Sequence, residues 1–366
     1  MCHKWYIYFC LLINWKHGSP QRIIDLQPNV GVNTTNANCT CVPFYLCKNG
    51  KVNTDGEGII DIRKNEGGCK NYMETCCKNG DRTTEPLTTT PPPIKPPQGC
   101  GYRRPNGINF KVTGDKDHES QYAEFPWMVA VLGNGLYQCG AALIHPEAVI
   151  TAAHCVTNKK KKFHIRAGEW DTQNTNEPYP FQESAVRNIT IHPKYYAGAL
   201  FNDIAFLVLA SPVKTAANIE VICLPPKNIT RIGDPCFATG WGKTAFEREG
   251  AYQAILKKID LPLVPRNECQ DRLRRTYLGK KFKLHESFVC AGGRPGKDTC
   301  LGDGGSPLVC PIEGQANRYF QAGIVAWGVG CGEEGVPGVY ANVAMFRDWI
   351  DKQMMANGLN TSGYQF

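Results

Sequence analysis

At 366 residues the chain is too long for one typical domain, yet long enough for a sizeable core with a smaller module beside it. Eighteen cysteines argue against a reducing compartment and for a secreted, oxidised protein, and without repeated Cys-x-x-Cys pairs a metal-cluster reading is weak. The net charge of +8 is modest, and the basic runs at residues 159–162 and 272–283 accompany no nucleic-acid-binding module, which excludes DNA and RNA as partners. Each run reads first as a solvated loop face and second as a surface for an acidic partner.

In chain order, residues 1–19 read as a signal peptide. Lys4 supplies the positive charge, and residues 5–13 form an apolar run well short of the roughly 20 residues that span a bilayer. Cys2 and Cys10 leave with this segment, so sixteen cysteines remain, and no later stretch is apolar enough to cross a membrane. Asn33, Asn38, Asn188, Asn228 and Asn360 each open an Asn-x-Ser/Thr sequon, as secreted glycoproteins do.

Residues 39–77 hold Cys39, Cys41, Cys47, Cys69, Cys76 and Cys77. A unit this small cannot bury a core of its own and needs covalent staples. Cys76 and Cys77 are neighbours and must reach different partners, but the residues alone leave the pairing open. Residues 78–99, rich in Thr and Pro, form an extended, semi-rigid linker. Residues 100–366 alternate short apolar runs, such as 127–132, 141–151, 204–209 and 320–327, with Gly and Pro turns, the pattern of an all-β barrel or sandwich. Val343, Phe346, Trp349 and Ile350 recur at helical spacing and predict a C-terminal helix packed on that barrel.

Three motifs stand within this last region. Thr151-Ala152-Ala153-His154-Cys155 resembles the histidine loop of chymotrypsin-like serine proteases, and Asn202-Asp203-Ile204-Ala205 resembles their aspartate motif. Gly302-Asp303-Gly304-Gly305-Ser306-Pro307-Leu308 resembles their nucleophile loop, which ordinarily reads Gly-Asp-Ser-Gly-Gly-Pro-Leu. The resemblance covers nearly all of residues 112–356 and implies a chymotrypsin-like double β-barrel with a C-terminal helix. At the nucleophile position stands Gly304, so His154 and Asp203 are expected to be remnants of a triad with no hydroxyl to activate. Ser306 lies two residues along; two residues reach roughly 6–7 Å, too far for the histidine to serve it as base.

Other positions follow from the same resemblance. Asp298, Gly328 and Gly338 match the residues that make a pocket for an Arg or Lys side chain. Glu169, Asp171 and Glu183, with Glu177 as a spare, lie in a segment resembling the calcium loop of trypsin-like domains and are the expected Ca²⁺ ligands. Where an active member is cut to free a new amino terminus for the aspartate at 303, this chain offers only Lys111 followed by Val112-Thr113-Gly114-Asp115, a departure that argues against cleavage there.

The spacing Cys39-Thr40-Cys41 with the closing Cys76-Cys77 resembles a clip domain, the regulatory module of arthropod secreted proteases. The two resemblances together imply pairings of Cys39 with Cys76, Cys41 with Cys69, Cys47 with Cys77, Cys100 with Cys223, Cys139 with Cys155, Cys236 with Cys310, Cys269 with Cys290 and Cys300 with Cys331. That uses every cysteine left after the signal peptide. They also imply a cut after Arg63, in the long interval between Cys47 and Cys69, by an upstream trypsin-like protease. The chain thus resembles the clip-domain serine protease homologues of the prophenoloxidase-activating-factor type. The resemblance implies a secreted haemolymph cofactor of melanisation that binds prophenoloxidase, its activating clip-domain protease or both, and that forms homo-oligomers after cleavage. The alternatives are a microbial-surface binding protein and a negative regulator of the same cascade.

Overall fold

The computed structural model describes residues 98–108, 118–173, 177–229, 235–242, 253–295, 303–330 and 332–366, together with the backbone of four short strands nearer the N-terminus. Arg63, Asp298, Cys47, Cys69, Cys300, Cys331, Asn33, Asn38 and the signal and linker segments lie outside the described residues.

The four short strands are β1 (Cys39–Pro43), β2 (Ile59–Asp61), β3 (Glu74–Lys78) and β4 (Lys111–Thr113). β1 and β3 pair antiparallel, with Cys41 opposite Cys76 and Thr40 opposite Cys77, so the ends of the cysteine-rich module lie side by side. β2 and β4 pair in parallel, Ile59 opposite Lys111 and Asp61 opposite Thr113. A backbone ladder therefore joins the middle of the small module to the segment leading into the large domain.

The first large unit is a closed six-stranded antiparallel barrel. Its strands are β5 (Met128–Gly133), β6 (Leu136–His145), β7 (Ala148–Thr151), β8 (Phe163–Ala167), β9 (Gln182–Ile191) and β10 (Ala205–Leu209), in the order β10-β7-β6-β5-β8-β9. The run at 141–151 is two strands and not one. Pro146 has no N–H for a ladder, and the chain reverses there, so that Leu143 pairs with Val149. β10 is buried at all five positions, which is why it reads as an unbroken apolar run without alternation.

The second unit is a seven-stranded sheet in the order β12-β11-β15-β16-β17-β14-β13. These are β11 (Cys236–Gly240), β12 (Lys257–Leu261), β13 (Leu263–Val264), β14 (Phe288–Gly292), β15 (Pro307–Pro311), β16 (Tyr319–Trp327) and β17 (Pro337–Asn342). Its two outermost strands, β12 and β13, are consecutive in the chain with Pro262 between them. The sheet therefore curls round on itself, and the carbonyl of Pro262 accepts a hydrogen bond from Gly292 N at 2.8 Å.

A short helix α1 (Arg266–Arg274), not anticipated from the sequence, buries only Cys269 and Leu273. The expected C-terminal helix is a 3₁₀ turn, Val343–Phe346, running into α2 (Arg347–Ala356). Of the four residues whose spacing predicts the stripe, Val343, Phe346 and Ile350 are buried and Trp349 is half-buried, and buried Met354 continues the face. Among the described residues no helix is long and apolar enough to cross a membrane.

Residues 98–108 are riveted to both barrels. Cys100 is bridged to Cys223. Gly101 N donates to Val221 O at 2.8 Å, and its carbonyl accepts from Tyr319 N at 2.7 Å. Arg103 lies 4.0 Å over the Phe237 ring and pairs at 2.5 Å with Glu124, a fully buried carboxylate that also takes Lys258 at 2.8 Å. In the loop-entropy account, closing a chain separation of this length restrains the unfolded state by roughly 5 kcal/mol. Whatever is cut ahead of residue 100 thus leaves the large domain's own start in place.

Candidate functional site: a protease cleft without a nucleophile

His154 sits on a single 3₁₀ turn, Ala153–Cys155, immediately after β7. The Cys139–Cys155 bridge fixes that turn against β6. Asp203 enters from the loop before β10. Asn202 adopts φ +55°, a left-handed conformation that asparagine tolerates, and aims its neighbour inward. Asn202 is held in turn: its N donates to Ser287 Oγ at 3.1 Å and its side-chain amide to Lys194 O at 2.8 Å.

The result is an intact pair. Asp203 is fully buried and accepts His154 N on Oδ1 at 2.9 Å and His154 Nδ1 on Oδ2 at 2.6 Å. A carboxylate accepting at Nδ1 leaves Nε2 as the lone-pair nitrogen, which is the tautomer a general base requires. Tyr195 packs nearby; burial, then the negative charge of Asp203, pushes its phenol up to about 12.

Opposite Nε2 stands Gly304. A Cβ built there would lie 2.7 Å from His154 Nε2, inside van der Waals contact. The imidazole thus occupies space that any side chain at 304 would contest. The surrounding loop is nonetheless well fastened. Gly140 N donates to Gly304 O at 3.0 Å, Gly305 N to Val325 O at 2.9 Å and Ser306 N to Asp303 O at 3.0 Å, while Thr151 Oγ1 braces Gly140 O at 2.7 Å. Gly305 has φ +79° and faces Thr151 and Gly140 so closely that no side chain fits. Asp303 Oδ1 accepts Gly242 N at 2.8 Å, and glycines at 240 and 242 leave room for its carboxylate.

Ser306 does not reach His154. It is fully buried, its Oγ has no hydrogen-bond partner, and it is wedged beneath Gly140, whose missing side chain makes the space. Cys139, His154 and Cys155 lie close enough to suggest a metal cluster, but the two sulfurs are bonded to each other.

Of the pocket residues, Gly328 follows Trp327 at the end of β16, with nothing nearer than 3.6 Å to a side chain there, and Gly338 is buried in β17. Trp327 is packed edge-on against Phe282 and Phe288, at 6.1 and 5.9 Å between ring centroids. Phe201 stacks on His285 at 4.1 Å, and His285 hydrogen-bonds Ser287, the residue that holds Asn202. The described structure contains the Cys100–Cys223, Cys139–Cys155, Cys236–Cys310 and Cys269–Cys290 bridges. Asn188, Asn228 and Asn360 are exposed.

Two carboxylates of the acidic loop meet a guanidinium. Arg166 on β8 contacts Glu169 at 2.8 Å and Glu183 at 2.8 Å. Glu177 instead accepts Trp170 N and Asp171 N on Oε1, at 3.2 and 2.8 Å. Burial pushes Glu169 up to about 7 against the pull of Arg166 and raises Glu177 well above the usual carboxylate range, with Glu169 as its second cause. The basic run after α1 is only partly neutralised. Arg272 and Arg274 pair with Glu268 and Asp271, while Arg275, Lys280 and Lys283 are exposed beside Tyr277, which is 76% exposed.

Sequence reasoning missed Arg166, Ser287 and Gly140. Arg166 carried a signal, an arginine three residues ahead of an acidic loop. Ser287 and Gly140 carried none, because their roles depend on chain segments brought together only by folding.

The trypsin family description matches residues 115–350, and that of the serine protease clip domain PPAF-2 matches residues 28–78. The chain belongs to the clip-domain serine protease homologues of the trypsin family. It is similar to phenoloxidase-activating factor 2 of Galleria mellonella, 52% identical over 78% of this chain and 99% of that protein. It is also similar to two proteins of Anopheles gambiae, inactive CLIP domain-containing serine protease A8 (40% identical; 85% of this chain, 87% of that protein) and A28 (37%; 88% and 90%).

Proposed function

We propose that this clip-domain homologue is a secreted, non-catalytic cofactor in phenoloxidase activation, switched by proteolysis. The observation that carries this reading is the missing side chain at residue 304: His154 and Asp203 are set as base and orienter, and the atom they would serve is absent. Removing the nucleophile from such a triad costs on the order of 10⁶ in turnover. Similarity to a phenoloxidase-activating factor over almost its whole length supplies the pathway.

In this reading an upstream trypsin-like protease cuts after Arg63, two residues beyond β2. The parallel ladder between β2 and β4 supports a switch, since a cut there would free one end of a strand bound to the large domain's leading segment. The cut chain then binds prophenoloxidase, its activating clip-domain protease or both, and assembles with further copies. Asn188, Asn228 and Asn360 are its accessible glycan sites. The exposed Arg275, Lys280 and Lys283 favour a second reading, attachment to an anionic microbial surface.

Reconstitution tests both. Purified protein, intact and cut, is added to prophenoloxidase and its activating protease. The proposal expects phenoloxidase activity to rise only with the cut form, and an Arg63→Ala variant to stay inactive. Equal activity from intact, cut and Arg63→Ala protein would remove the switch, a fall in activity would make the chain a negative regulator, and retention on microbial polysaccharide without any effect on activation would favour the second reading.

A further inference from the structure

The lysines at 159–162 are held in place by neutral groups and meet no carboxylate among the described residues. We propose that they form, with the β5–β6 hairpin, a docking surface for an acidic segment of a partner protein, a segment that also lays an apolar side chain on Leu136. This deepens the reading of the chain as a cofactor that acts by contact, and rests on that reading for the partner's role.

The surface is built from two turns fastened to each other. Asn134 and Gly135 join β5 to β6, both at positive φ (+54° and +81°), the two-residue turn whose twist suits a hairpin. Asn134 grips the lysine loop twice: its Oδ1 accepts Lys162 N and its N donates to Lys162 O, each at 2.9 Å. Asn158 shapes the loop from within, its Oδ1 accepting Lys160 N and its carbonyl accepting Lys161 N, both at 3.1 Å. The Lys161 stem crosses Gly133, where a Cβ would lie 3.0 Å from its Cδ, and its Nζ donates to Gln138 Oε1.

Each of these partners is an uncharged amide or a backbone group, so the loop's charge is not neutralised. Lys159, Lys160 and Lys162 are exposed. Lys257 and Lys258, by contrast, each meet a carboxylate. Like charges on neighbouring residues repel, and carboxylates brought by a partner would relieve that repulsion. Because the loop is already ordered by its own hydrogen bonds, little further ordering is needed when a partner docks. Leu136, 47% exposed at the end of the hairpin, supplies an apolar contact that a protein segment can use and a bare polyanion cannot.

The surface borders the cleft. Thr157, at the head of the lysine loop, donates Oγ1 to His154 O at 3.4 Å. Gly140, whose N donates to Gly304 O, lies along β6 from Leu136 at a distance of roughly 13 Å by the rise of a strand. Next to Leu136, Tyr137 packs edge-on against Trp241 of the second unit, with 6.1 Å between ring centroids. A partner seated on the lysines therefore lies beside the site where catalysis is absent.

The test uses the full secreted chain and a fluorescein-labelled peptide of glutamates flanking a central leucine, followed by anisotropy at low salt. Its glutamine counterpart and dextran sulfate are run beside it. Changing Lys159, Lys160 and Lys162 together to Gln should weaken peptide binding about tenfold. The same change at Lys194, Lys214 and Lys352, exposed lysines elsewhere in the chain, should weaken it less than about twofold. Leu136→Ser and Asn158→Ala keep every charge, and each should weaken binding severalfold, the first by removing the apolar contact and the second by loosening the loop. Equal weakening in both triple variants would reduce the effect to net charge and overturn the proposal. So would tight binding of dextran sulfate, indifferent to Leu136→Ser, with the acidic peptide held no better than its glutamine counterpart. The reconstitution with prophenoloxidase separates this surface from the cofactor reading. A wild type that binds the peptide and yet fails to raise phenoloxidase activity would remove the cofactor reading and leave the surface. An active cofactor whose lysine variant binds the peptide like wild type would do the reverse.

Discussion

The two halves of the cleft are built to different ends. On the first-barrel side, Asp203 is fully buried and doubly bonded to His154, and Asn202 and Ser287 brace it from behind. On the second-barrel side, the loop through Gly304 is equally well fastened, yet presents nothing to the imidazole. The missing side chain at 304 thus leaves the structure around it intact. Asn202, which precedes Asp203, is also tied to Ser287 just ahead of β14 in the second unit, so the residues that position the histidine also link the two units.

That contrast can be broken by substitution. Asp203→Ala should be the most damaging change, because it removes the acceptor of a half-buried backbone amide and of the His154 ring together. A loss of roughly 3 kcal/mol is expected in denaturant unfolding. A loss under about 0.5 kcal/mol would mean that the pair is not structural.

Gly140→Ala should cost about 2 kcal/mol, since its new methyl would overlap Ser306 Oγ and press on Met128 Cε at 3.0 Å. Ser306→Gly removes the first obstacle. In a double-mutant cycle the two changes should therefore couple by about 1 kcal/mol or more, with the double variant recovering part of the loss. Strict additivity would show that Ser306 does not lie beneath Gly140.

A smaller effect follows from the buried acids. Glu169 titrates at about 7 instead of near its ordinary 4.5, and Glu177 is raised as well. Between those values the folded chain binds more protons than the unfolded chain. The stability these groups contribute is therefore fully present below the ordinary carboxylate value and is lost as pH rises through the folded value. Urea midpoints should fall as pH rises from 5 through about 7. Glu177→Gln, which keeps the Oε1 acceptor, should flatten that slope, and an unchanged slope would remove Glu177 from the account.

The smallest effect is expected at the basic turn. Reversing Lys280 and Lys283 to Glu should leave stability within about 0.5 kcal/mol. It should also slow binding of an acidic partner severalfold at low salt and not at high salt. Equal slowing at every salt concentration would point away from electrostatic docking.

How far the sequence could be read follows from where each signal lies. Trypsin-like architecture was legible because His154, Asp203 and the loop at 302–308 each sit in short contiguous motifs, and because Val343, Phe346 and Ile350 keep helical spacing along one face. The break at Pro146 was hidden by apolar residues on both sides: each strand of the hairpin is buried, so the run showed no alternation at the turn. Helix α1 was masked by its charge, with only Cys269 and Leu273 facing inward, too narrow a stripe to register as a period. The acidic loop was legible only in part. Its carboxylates were visible in sequence, but the contacts that Arg166 of the preceding strand makes to Glu169 and Glu183 are defined only by geometry.

The central claim, that this chain works by contact and forms no covalent intermediate, is tested most directly by arginyl-ester hydrolysis. The assay takes chain cut in the clip region, at high enzyme concentration, beside a Ser306→Ala variant prepared identically. Rates for both should equal the buffer blank, because Ser306 is buried away from His154 and Gly304 has no hydroxyl. Turnover above the blank that disappears in Ser306→Ala would contradict the account.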